Sequence, residues 1–187
     1  SVDNETHTED PHVWQDPRNV TIWADNIAAA LSALDPANAE AYQANAEAYQ
    51  AELARLDTSI EETLASIPEA RRKLVTTHDT FGYFADRYGF EVIGAVIPSV
   101  TTGSEPTAGE LAALVETLRA EQVQAIFAEN VSSAGILDVL AAETGTQVTV
   151  YSLYTDALSE PGNEADSYVR MMTINAGVIA AALGAGQ

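Results

Sequence analysis

A chain of 187 residues with 47% hydrophobic side chains is long enough to bury one full core. Its 28 acidic against 8 basic residues give a formal net charge of −20, which excludes nucleic acid and anionic membranes as partners and leaves a cation or a basic surface. Cysteine is absent, so disulfides and thiolate sites are excluded, and any metal must be held by histidine and carboxylate.

No stretch approaches the roughly 18 apolar residues of a membrane span. No signal peptide opens the chain, and its start at Ser1 points to a processed or truncated protein. Residues 1–11 are small, polar and charged, and predict a loose acidic arm that includes His7. The arm runs into TEDPHVWQDP, where His12 lies between two Asp-Pro pairs. Asp16-Pro17 combines an N-cap with proline at the first helical position, and Val20, Trp23, Ile27, Leu31 and Leu34 follow at spacings of three and four. That pattern predicts one helix with an apolar stripe. Asp35-Pro36 repeats the start signal, and a second stripe from Tyr42 to Ile67 predicts a long helix over 36–67, on the order of 45 Å. Its stripe is rich in Ala and Tyr and lacks flanking charge pairs, which favours packing within the chain over a coiled coil. Residues 12–68 thus form a helical segment.

From Lys73 onward, short β-branched runs alternate with capped helices, so residues 69–187 predict an α/β lobe: a four-stranded parallel sheet with crossover helices. The strands are KLVTT (73–77), EVIGAVI (91–97), VQAIFA (123–128) and QVTVYSL (147–153). Helices are expected from about Asp79 to Tyr88 with a stop at Gly89, from Thr107 with Glu110 in capping-box spacing, and from about Ser133 to Glu143. A last helix carries Tyr168, Met171, Met172, Asn175, Val178 and Ile179.

Ligands of an open parallel sheet lie beyond the carboxyl ends of its strands. Those ends read His78-Asp79, Pro98-Ser99, Glu129-Asn130 and Tyr154-Thr155-Asp156. Each residue has a plainer reading too. His78 would satisfy a backbone carbonyl or cap a helix, Asp79 would be an N-cap, and Glu129 and Asp156 would be solvated carboxylates. Trp14, Trp23, Met171 and Met172 are expected to pack. Asn4, Asn19 and Asn130 head Asn-x-Ser/Thr triplets that are expected by chance.

Five separated motifs, DPHVWQDP, LVTTHDTFGYFADRYG, SEPTAGELAALVETL, IFAEN and LYTDALSEPG followed by SYVRMMTIN, occur in one order. Together they resemble the zinc- and manganese-specific solute-binding proteins of bacterial ABC importers, over nearly the whole chain. The resemblance implies an extracytoplasmic receptor, periplasmic or anchored at the cell surface as a lipoprotein, with two α/β lobes joined by one long helix that corresponds to 36–67. It implies that metal lies between the lobes, with His12, His78 and Asp156 as ligands and Glu129 in the cleft wall. The family's first lobe, which precedes the DPHVW motif and brings a further histidine, is missing here. A partial receptor is therefore expected, with weak or no metal binding of its own and self-association through the face the lobe leaves.

Imidazole and carboxylate together suit Zn²⁺, and the Irving–Williams order sets zinc above manganese at such a site. Manganese is the alternative. Each ligand histidine needs an acceptor on its other nitrogen, and Asp79 and Glu129 are the candidates. The expected function is capture of a divalent ion and delivery to the cognate permease, without catalysis. A zinc hydrolase with two histidines, one carboxylate and Glu129 as general base is the rival reading, although no HExxH or GxSxG motif is present and Ser132-Ser133 has no histidine nearby in sequence. An adhesin or interaction module is a third.

Overall fold

Local signals start the first helix where the sequence places it. In the computed structural model, which describes residues 10–97, 107–129, 140, 142–144 and 148–184, Asp16 accepts the Arg18 amide and Pro17 opens α1, Pro17–Leu34. After Asp35 the chain makes a 3-10 turn, Pro36–Asn38, before α2, Ala39–Leu64. The long helix is therefore shorter at both ends than its stripe predicts. At the front, the Asp35 carboxylate takes the Asn38 amide at 2.7 Å and the Tyr42 hydroxyl at 3.0 Å, which fixes the tight turn.

Four strands follow among the described residues: β1, Lys73–His78; β2, Glu91–Ile97; β3, Ala125–Glu129; and β4, Thr149–Leu153. They pair in parallel in the order β2-β1-β3-β4. Between them run α3, Gly82–Tyr88, and α4, Ala108–Ala120, and the chain closes with α5, Tyr168–Gly184. Thr107 and Glu110 form the expected capping box at α4. Gly89, in the left-handed region at φ 71°, ends α3 as expected. Helix α3 begins at Gly82, not Asp79: Thr80 and Phe81 are buried, and Phe81 holds the N-cap position with no side-chain cap. The arm at 1–9, the Pro98-Ser99 strand end and most of the helix expected over 133–143 lie outside the described residues.

Alternation along the strands splits the core between the two faces of the sheet. Leu74, Phe127 and Leu153 face α2, α3 and α5, where Leu53, Leu56, Ile60, Leu64, Phe84, Met172 and Ile179 meet them. Val75, Val96, Ile126 and Ala128 face α4 through Leu114, Val115 and Leu118. The four α2 side chains are almost fully buried, and each contributes about 1.5–3 kcal/mol by leaving water. Asp57 of α2 ties down α3, accepting Arg87 Nε at 2.9 Å, Arg87 Nη2 at 2.6 Å and the Tyr88 hydroxyl at 2.9 Å. Burial and that carboxylate push the Tyr88 phenol far up.

The α1 stripe departs from expectation. Val20 and Ala28 are buried toward α2, whereas Trp23 is 43% exposed, Ile27 58%, Leu31 40% and Leu34 84%. The periodicity makes the helix, but among the described residues nothing covers most of its apolar side.

Candidate metal centre

The order of the sheet reverses between β1 and β3, since β2 lies on the far side of β1. That switch point opens a crevice at the carboxyl ends of these two strands. His78 ends β1 and Glu129 ends β3. Both side chains are buried. Glu129 Oε1 accepts the His78 backbone N–H at 2.9 Å and lies against Nδ1 of the same residue in a short contact. Thr77 Oγ1 in turn accepts the Glu129 amide at 3.0 Å, and Thr76 Oγ1 donates to the His78 carbonyl at 2.7 Å. The imidazole is thus gripped at its backbone and at one ring nitrogen.

His12 reaches the same place from the other end of the chain. Pro11 and a 3-10 turn, Val13–Gln15, hold it ahead of α1, and the Asn19 side chain donates back to the Val13 carbonyl at 2.9 Å. Asp10 Oδ1 accepts the His12 backbone N–H at 2.9 Å and faces Nδ1 at 2.7 Å. Trp14, expected only to pack, bridges two segments: its indole N–H donates to the Thr155 carbonyl at 3.1 Å and its ring stands edge-on to His12 with centroids 5.2 Å apart. Tyr168 of α5 donates to the Trp14 carbonyl at 2.7 Å. Asn175 of α5 takes both backbone groups of Tyr154, accepting its N–H at 3.0 Å and donating to its carbonyl at 2.6 Å. The segment that carries Asp156 is held from both sides.

The two rings present their Nε2 atoms to each other at 3.2 Å. Asp156 lies 3.8 Å from His12 Nε2 and 3.6 Å from His78 Nε2. A carboxylate against each Nδ1 favours the tautomer that carries its proton there, and in that form each Nε2 turns a lone pair toward the other. Two lone pairs at that separation repel unless a proton or a metal ion lies between them. Ligands at about 2.0–2.1 Å from a tetrahedral zinc stand about 3.3 Å apart, close to the spacing of the two nitrogens. The donor set therefore fits a borderline divalent ion, with His12, His78 and Asp156 as the group whose ligand atoms all lie within 4.8 Å of one another.

Burial alone would lower the pKa of His78, but the hydrogen bond and charge of Glu129, with the charges of Asp156 and Asp79, raise it above the ordinary value. Asp79 acts through charge only. Its side chain is exposed and neither caps α3 nor holds an imidazole, which corrects the reading of Asp79 as an acceptor. Asp10 takes the place expected of it, on the other histidine. The Asp-x-His spacing in DPHVW was the signal for it.

Comparison with known proteins meets the same geometry. The profile described as "Zinc-uptake complex component A periplasmic" (ZnuA) matches residues 1–182. The manganese ABC transporter substrate-binding lipoprotein PsaA of Streptococcus mitis is 37% identical over 181 residues, 96% of this chain and 57% of its own length. The chain thus spans little more than half of the curated relatives it matches. Among solved structures, the periplasmic zinc-binding protein TroA from Treponema pallidum superposes with a TM-score of 0.86 at 33% identity, over 93% of this chain and 64% of that one. The Mn-bound periplasmic metal-binding protein from Candidatus Liberibacter asiaticus superposes at 0.79 with 26% identity, covering 98% and 66%. With the four-stranded parallel sheet, the buried histidine pair and a match over nearly its whole length, the chain belongs to the ZnuA family.

Proposed function

We propose that this chain is the metal-holding part of an extracytoplasmic receptor, periplasmic or tethered to the cell surface as a lipoprotein, that captures a divalent transition metal for an ABC permease. His12, His78 and Asp156 are the ligands, and the metal is cargo. The observation that carries the reading is the pair of buried imidazoles whose Nε2 atoms converge at 3.2 Å while a carboxylate backs each Nδ1. Family membership and a manganese and a zinc protein among its relatives support it.

Zinc is the preferred ion over manganese, because two imidazoles and one carboxylate follow the Irving–Williams order. Among the described residues three protein ligands converge, one short of a closed tetrahedral shell, and the 187-residue chain is expected to bind zinc more weakly than about 1 µM, or about 8 kcal/mol. Titration calorimetry with Zn²⁺ and Mn²⁺ tests this. A Kd well below a micromolar, or manganese binding tighter than zinc, overturns the ligand count or the preference, and retention on the cognate permease tests the partner.

The hydrolase reading loses support from Glu129. A general base must face the water on the metal, whereas this carboxylate is engaged on the Nδ1 side of His78, behind the ring. Binding and release without turnover is the function the residues favour.

The uncovered side of α1 carries a further expectation. Trp23, Ile27, Leu31 and Leu34 form an exposed apolar strip, and self-association through it is expected. A net charge of −20 opposes association at low ionic strength, so sedimentation velocity is expected to show dimers that grow with salt. The exposed-site variant I27E should remain monomeric throughout. A wild-type chain that stays monomeric in high salt sinks the idea.

A further inference from the structure

Asp10 is bound to His12 twice through Oδ1, and its other oxygen lies beside the start of α3. A methyl group built on Gly82, the first residue of α3, would come within 3.1 Å of Asp10 Oδ2. That is closer than the roughly 3.3–3.6 Å of an ordinary C–H···O contact. The backbone does not ask for glycine here, because Gly82 is not among the residues with positive φ. What the missing side chain leaves room for is the carboxylate. A side chain at position 82 would press on the carboxylate that holds His12 and shift it by a few tenths of an ångström.

We propose that Asp10 is a positioning residue for the metal site and that Gly82 is its seat. The inference rests on the reading of His12 as a ligand. By holding Nδ1–H, the carboxylate fixes the tautomer that turns the Nε2 lone pair toward His78 and makes that nitrogen a better donor to a metal. The stretch from the end of β1 to the start of α3 then serves the site twice. It carries His78 itself, and through Gly82 and Asp10 it sets the ring of His12, which lies 66 residues away from His78 in sequence.

A double-mutant cycle on the full chain tests this, with D10A, G82A and the double variant titrated with Zn²⁺. D10A is expected to weaken zinc binding ten- to a hundredfold, and G82A by a smaller factor. In the D10A background, the alanine at 82 should have no further effect, because the carboxylate it displaces is gone. Equal losses from G82A in both backgrounds overturn the proposal.

The second readout needs no metal. With three histidines in the chain, ¹⁵N spectra of the metal-free protein separate the ring tautomers, and H12N assigns the signal. The Nδ1–H form of His12 is expected in the wild type and a mixture in D10A, whereas D10N, which leaves Gly82 untouched, carries the comparison if G82A fails to fold. Unchanged tautomer populations in D10A and D10N overturn the role of Asp10. Failure of the wild type to bind zinc while the tautomers shift as stated sinks the ligand reading and leaves the Asp10 contact standing.

Discussion

Replacing Glu129 by alanine is expected to destabilise the metal-free chain by about 3–5 kcal/mol and to weaken zinc binding ten- to a hundredfold. Few residues combine so much burial with so much charge. Both side chains of the Glu129–His78 pair are 1% exposed, and Glu129 also accepts the His78 backbone N–H. Truncation leaves an imidazole N–H and an amide N–H without their acceptor in a site water does not reach, against a total stability of about 5–15 kcal/mol. Glu129→Gln keeps the shape and one acceptor, so it should recover part of the loss in stability and less of the loss in affinity.

The pH dependence gives the sharper test. Burial lowers the pKa of His78, yet Glu129 and the nearby carboxylates raise it overall. A native pKa above the unfolded one means that the pair stabilises fully below the ordinary histidine range, and that this contribution is lost as pH rises through the native value. Zinc must displace the same proton, so its affinity should climb with pH and level off only above the raised pKa. In E129A, burial is opposed only by the charges of Asp156 and Asp79, and the whole profile should move toward acid. Calorimetric titrations from about pH 5 to about pH 8 follow it, and an unmoved profile would mean that Glu129 does not control the ring.

The second large effect is structural. Arg72 sends one guanidinium to the carbonyls at two helix ends: Nη2 to Leu64 at 3.2 Å, Nε to Ile67 at 3.2 Å and Nη1 to Tyr88 at 2.9 Å. Leu64 is the last residue of α2, Ile67 lies just beyond it and Tyr88 ends α3, so one cation serves the negative poles of both helices. The Phe90 ring lies beneath it at 5.6 Å. Arg72→Met should cost about 2–4 kcal/mol, the worth of charge-assisted bonds less what water restores at a half-exposed site. Arg72→Lys should recover little, because one ammonium cannot span three carbonyls in a fixed fork. Urea unfolding reads the effect as a lower midpoint with unchanged slope. A lysine variant as stable as the wild type would show that charge alone is what the site requires.

What the sequence makes legible here is mostly local. Asp16-Pro17, the Thr107–Glu110 box and Gly89 act within a turn of themselves, and the β-branched runs from Lys73 onward announce strands within a residue or two. Positions at strand ends could be read as candidate ligands for the same reason. The partners of those residues could not. Glu129 meets His78 across 51 residues because β1 pairs with β3, and no periodicity records that pairing. Asp10 lay in plain view beside His12 but inside a stretch whose composition spoke of a loose arm. Asp79 looked like a cap because caps are read from neighbours, and the burial of Thr80 and Phe81 moved the helix start past it. In α1 the stripe was legible, while what covers a stripe is never written in the stripe.

Trp14 has a consequence in time as well as in space. Its hydrogen bond to Thr155 closes a span of 141 residues in a chain of 187. Closure entropy grows only with the logarithm of loop length, so such a contact is inexpensive once the lobe exists. Contacts of long sequence separation nevertheless form slowly, since the intervening chain must be ordered first. The helices and sheet are therefore expected to come together before the first and last ligands meet, with the site assembled late on the folding path. On that order metal meets a chain already folded, and refolding rates should be the same with and without Zn²⁺.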